Sequence, residues 1–195
     1  MARLRQLSTQ SFPGPCTSCI ALPACVQYSP LQWSGRRLGV ILIVRIVALI
    51  CTGLAAGIFL GHRAGVSRAM PVLNPSSFIQ LQQVIHKTFA RMMPVLILGA
   101  LLGSVMWGVL LRSRWRTDEF WLVSGASLAM MCILAMTRAV NIPINKRLMT
   151  WNAAAPPSDL SREWAPWERI HSIRTVLAIV AFAAEAIALS IHRLS

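Results

Sequence analysis

Acidic residues are scarce in this chain: 6 Asp and Glu stand against 19 Lys and Arg in 195 residues, and charged residues of every kind make up only 13%. Soluble domains carry about 25%. With 55% hydrophobic residues, the deficit excludes an ordinary soluble domain and points to an integral membrane protein. The missing acid leaves a formal charge of +13, yet no nucleic-acid-binding motif accompanies it, so no nucleic-acid partner is expected. The basic residues sit between or beside apolar runs, where the anionic headgroups of a lipid bilayer answer them. Cysteine is present but unorganised. Cys51 and Cys132 lie inside apolar runs and behave as small hydrophobes. Cys16-x-x-Cys19 has no second pair and no nearby His, so neither a disulfide framework nor a four-ligand zinc site is predicted. An internal inverted repeat is also lacking, which argues against a transporter.

What the chain does have is apolar runs of membrane length. Residues 1–38, basic and free of acid, read as a leader outside the fold: a transit-like sequence, a disordered tail or an overextended start. Residues 39–195 read as one all-α domain, an antiparallel four-helix bundle with spans over 38–61, 92–111, 120–138 and 174–192. Between the first two spans, Asn74-Pro75 opens an additional amphipathic helix over 75–91, with Phe78, Leu81, Ile85, Phe89 and Met92 as its apolar stripe and Gln83 and His86 on one flank. Its apolar length is too short to cross, so it is expected at the interface or folded over the bundle as a lid. Gly53, Gly57 and Gly61, four residues apart, clear a groove for close helix approach, either within the bundle or between copies in a homo-oligomer. In the third span, Pro143 predicts a kink or stop after Asn141.

Two charges interrupt the spans. Arg45 lies about seven residues in from the terminal side of the first and Glu185 about six from the same side of the last, roughly 10 Å deep in each case. An unpaired charge at that depth is costly, so Arg45 and Glu185 are predicted to form a structural ion pair. Short basic connections on the terminal side, including Arg112, Arg114 and Arg116, favour both termini in the cytoplasm and a multi-pass location in the cell inner membrane.

The densest stretch is Trp164 to Thr175. At helical spacing Trp164, Trp167, His171, Arg174 and Ala178 share one stripe. Read blandly, it is an interfacial belt in which Trp anchors and Arg caps a span. The order of motifs suggests more: Thr52-Gly53 through Gly57-Ile58-Phe59, then Phe78 to Pro94 with its Gln and His, then Asn141-x-Pro143-x-Asn145, then Trp164-x-x-Trp167-x-x-x-His171-x-x-Arg174-Thr175. It resembles the anthrone oxygenase-like family of small four-span membrane proteins over roughly residues 40–193.

That resemblance implies oxidation of an anthrone to an anthraquinone with molecular oxygen, on a small hydrophobic aromatic ligand. His171 is the candidate base and Arg174 the candidate stabiliser of the oxyanion. Asn141, Asn145, Gln83 and His86 are candidates for orienting polar groups of the substrate, with Trp164 and Trp167 stacking on its rings. The chemistry needs no cofactor and none is predicted. If His86 and His171 both face the interior, haem or a single metal ion is the alternative. The non-enzymatic alternative is a structural or accessory membrane protein in which tryptophans anchor, asparagines cap and the remaining polar groups tie loops together. A cavity lined by the polar residues distinguishes an enzyme from a scaffold.

Overall fold

The computed structural model describes residues 30–191. Four long helices follow one another up and down. The first, Pro30–Gly61, runs on through a π-helical turn at His62–Val66 and further short turns to Val72; the second is Pro75–Leu110. The third, Asp118–Met136, continues through a π-helical turn at Thr137–Asn141 into Ile142–Leu148, and the fourth is Leu160–Ile191. Each is long and apolar enough to cross a membrane, and the chain is a multi-pass integral membrane protein. The first and third helices each pack on the second and fourth, closing a ring around the core.

The helices outrun the spans predicted for them. At 36 residues, the second is about 54 Å long, against hydrocarbon about 30 Å thick. The segment over 75–91 is therefore not a separate amphipathic helix but the opening turns of the second span, capped by the Asn74 side chain, which accepts from the Ser77 amide at 2.8 Å. Pro94 sits inside this helix, and Pro166 inside the fourth. Pro143 does not stop the third helix either, because it falls in the first turn of the α-helical segment that follows the π turn, where no backbone donor is needed. Residues 30–38, assigned to the leader, belong to the first helix, whereas 1–29, with Cys16, Cys19 and Cys25, lie outside the described residues.

Heptad spacing sets the buried faces. In the fourth helix Trp164, Trp167, His171, Arg174, Ala178, Ala181, Glu185 and Ala188 are all buried, an unbroken three-four alternation that keeps one seam facing the bundle. The first helix repeats it with Arg45, Ala48, Thr52, Ala55 and Phe59. The middle of the core is alanine-rich, with Ala56, Ala100, Ala126, Ala129, Ala178 and Ala181 packed around Met130 and Ile133. Small side chains let membrane helices approach closely, which is where their packing energy comes from. A Cβ on Gly103 would lie 2.9 Å from Ala48 Cα, and one on Gly53 2.9 Å from the Phe182 ring. Gly53 thus serves contact within the bundle, whereas Gly57 and Gly61 face open space.

The predicted Arg45–Glu185 pair does not form. Arg45 Nη2 donates to Glu119 Oε1 at 2.7 Å, with both side chains buried. Trp107 Nε1 donates to the same oxygen, and Arg114 approaches the other one at 3.6 Å. Glu185 instead accepts at Oε1 from Thr52 and Ser104. The Thr52 contact places Glu185 level with a residue seven positions beyond Arg45, about 10 Å deeper. Equal residue counts from two helix ends do not mean equal depth when the helices are staggered.

Candidate functional site

Toward the side of the longer connections, the four helices diverge around a cavity of about 350 Å³, within the range of about 300–1,000 Å³ usual for small-molecule sites. Its walls are mainly apolar, with Phe59, Ile85, Phe89, Met93 and Ile97 among them. His171, Arg174, Asn141, Asn145 and His86 line it, and no Asp or Glu does.

The fourth helix supplies His171 and Arg174 through its heptad stripe. His171 is 3% exposed. One face of its ring stacks on Trp167, with centroids 4.8 Å apart and planes at 21°. His62 and Phe59 meet it edgewise at 4.7 and 5.7 Å. Neither ring nitrogen has a hydrogen bond of good geometry among the described residues, although the backbone of Phe59 is close enough to interact. Arg174, one turn on, places its guanidinium 4.5 Å over the Phe59 ring. It joins none of the ion pairs among the described residues.

The third helix supplies Asn141 by a local change of winding. A heptad seam through Met130, Ile133 and Thr137 would next bury residue 140, but the π turn over Thr137–Asn141 takes up one extra residue and turns Asn141 inward. Asn141 is 1% exposed, and both its amide nitrogen and its amide oxygen lack a hydrogen-bond partner among the described residues. Leaving such atoms buried and unmatched costs about 1–3 kcal/mol each, so the arrangement suits groups kept for a ligand.

The other candidates take different places. Asn145 lines the cavity, but its Oδ1 accepts from Trp167 Nε1 at 2.9 Å, so it holds the indole in position. Trp167 lies between Trp164, stacked at 4.6 Å and 19°, and His171. Both of its faces are covered, and Trp164 does not reach the cavity. Trp164 packs edgewise on Phe78 and donates to Glu168. The pair is a wall supporting His171, not a clamp for flat rings. Gln83 points away: its Nε2 donates at 3.0 Å to the carbonyls of Leu148 and Trp151, filling acceptors freed where the third helix ends. Gln82 lines the cavity in its stead. Of the apolar stripe predicted for this segment, Leu81 and Met92 are exposed.

His62 is a site residue that sequence reading missed. Ser67 Oγ lies 3.4 Å from His62 Nδ1 and donates to Glu168 Oε1 at 3.1 Å, a polar chain behind the His62–His171 contact. Its signal was legible: His62 continues the stripe Thr52, Ala55, Phe59 by three residues, provided the helix is not ended at Gly61. Glu168 and His171 also form a Glu-x-x-His pair that the sequence reading overlooks. Glu168, however, is engaged by Ser67 and Trp164. Among the described residues no three His, Cys, Asp or Glu side chains are grouped so as to hold a metal ion.

Comparison with known proteins gives one family. The model described as anthrone oxygenase matches residues 82–184. That segment holds the second, third and fourth helices' contributions to the cavity and leaves out those of the first. No curated protein and no solved structure matches the chain.

Proposed function

Because the chain belongs to the anthrone oxygenase family, we propose that this cavity binds a flat, phenolic polycyclic carbon acid and that the protein oxygenates it with molecular oxygen and no cofactor, converting an anthrone to an anthraquinone and water. The observation that carries the reading is the unmatched, buried amide of Asn141 together with the buried His171 imidazole and Arg174, which joins no ion pair among the described residues, all in a mainly apolar cavity.

In this reading His171 removes a proton from the methylene carbon opposite the substrate carbonyl. The electron pair moves through the rings onto that carbonyl oxygen, where Arg174 and Asn141 hydrogen-bond the developing negative charge. The electron-rich enolate reduces oxygen and forms a carbon–oxygen bond, and the peroxide takes the proton back from His171. Loss of the second hydrogen from the same carbon to His171 then cleaves the oxygen–oxygen bond. One oxygen atom stays as the new carbonyl, and the other leaves as hydroxide that accepts the proton and departs as water. Trp167 and His62 hold the imidazole in register from two sides throughout.

Purified protein in vesicles should accelerate anthraquinone formation, read by absorbance together with oxygen uptake. His171→Ala should lose about 10²–10⁴-fold in rate while keeping its melting temperature. Undiminished turnover in that variant would remove His171 from the mechanism.

A further inference from the structure

The cavity residues that are exposed all lie on two helices: Ala90, Pro94 and Leu98 on the second, Arg138 and Ile142 on the third and its continuation. The residues that the first and fourth helices contribute are buried or half-buried. The mouth is therefore the slot between the second and third helices. Arg91 and Arg138, both exposed, mark headgroup level, since a guanidinium on the outer surface reaches for water. Pro94 and Leu98 lie three and seven residues beyond Arg91, about 4.5 and 10 Å further in. They belong to the uncharged run, beside lipid-facing Val95 and Leu102. The slot thus faces the acyl region of the bilayer and not the aqueous side alone.

Two further observations bear on what passes through it. Pro94 has no N–H, so the Ala90 carbonyl one turn before it loses its helical donor, and both residues line the mouth. At headgroup level beside Arg91, that carbonyl is an acceptor available to water or to a hydroxyl group on a molecule entering the slot. The only charges in the lining are guanidiniums, Arg138 at the mouth and Arg174 inside, and neither forms an ion pair among the described residues.

We propose that the cavity fills sideways from the bilayer, through this slot, with flat lipophilic molecules bearing an oxyanion, which Arg138 captures at headgroup level and Arg174 holds inside. The proposal rests on the reading of the cavity as the site for a polycyclic aromatic. It adds the route of entry and the charge of the molecule admitted.

Binding of non-reacting probes tests it without turnover. Protein in phosphatidylcholine vesicles would be mixed with anthraquinone-2-carboxylate, a hydroxyanthraquinone ionised at its phenol, or neutral 9,10-anthraquinone, and quenching of tryptophan fluorescence followed in time. Both anions should bind at least roughly tenfold more tightly than the neutral probe, and Arg174→Gln should erase the difference. If only one anion gains, it identifies the oxyanion as carboxylate or phenolate. Ala90→Phe and Leu98→Phe should slow association and dissociation together, while Leu102→Phe, exposed on the same helix but outside the lining, should change neither. Equal affinity for charged and neutral probes overturns the selection of an oxyanion, and unchanged rates in both slot variants overturn the lateral route. Probe binding that follows the slot in a protein unable to oxidise anthrone refutes the reaction and leaves the route standing. Oxidation that is indifferent to Ala90→Phe and Leu98→Phe does the reverse.

Discussion

The two ends of the bundle bury polar groups to opposite effect. Toward the termini, Arg45 meets Glu119, Trp107 donates to the same carboxylate, and Glu185 takes hydrogen bonds from Thr52 and Ser104. Toward the longer connections, both ends of the Asn141 amide lack a hydrogen-bond partner among the described residues, His171 has only the nearby Phe59 backbone, and Arg174 lies over the Phe59 ring and joins no ion pair among those residues. The helices and their heptad seams are the same ones in both halves, so the difference lies in what fills the seam. Alanines and side chains that bond to one another close one end, with Arg45 Nε and Glu185 Oε2 the atoms there that lack a hydrogen-bond partner among the described residues. Histidines, a phenylalanine and a wound-in asparagine hold the other open. Matched groups in hydrocarbon stabilise a fold, and unmatched ones reduce stability in return for binding.

Exchanging a guanidinium for an apolar side chain should separate the two ends most sharply. Arg174→Leu is expected to lower anthrone turnover by about 10²–10³-fold without lowering the melting temperature in detergent, because it relieves an unpaired buried charge. A clear drop in melting temperature would make Arg174 a structural residue and close the gap between the two ends. At the terminal end the same kind of change should cost stability. Glu119→Leu strands Arg45 and is expected to destabilise by about 3–5 kcal/mol; Arg45→Leu should cost less, since Arg114 still approaches Glu119 at 3.6 Å. The double replacement should recover part of the loss, and a double variant worse than either single one would mean that the pair is not the relevant unit. Smaller still is Gly103→Val, where the new side chain meets the backbone of Ala48 and overpacking should cost about 1–3 kcal/mol, read by thermal unfolding with turnover retained below the transition. The smallest effect is expected for Asn145→Ala, which removes one hydrogen bond to Trp167 worth about 0.5–1.5 kcal/mol. Its signature would be a loosened indole, visible as a red-shifted or quenched tryptophan emission, with a modest rise in KM.

Much of this was open to inspection in the chain itself. The scarcity of charge and the four apolar runs determine a helical membrane bundle, since a backbone in lipid has few other ways to satisfy its hydrogen bonds. The stripe Trp164, Trp167, His171, Arg174 and Ala178 is buried as its spacing requires, because 3.5-residue periodicity is a property of one helix and needs no neighbour. What required the tertiary structure was everything that depends on stagger and winding between helices. Arg45 chose Glu119 over Glu185 because two helices are offset along the membrane normal, and Asn141 faces inward because one π turn absorbs a residue. His62, not Gln83, joins the cavity because the first helix runs past Gly61. The tryptophans became a wall because each covers the next. Local periodicity tells which side chains share a face, but the depth at which faces meet is set by contacts between segments far apart in the chain, and that only the assembled bundle decides.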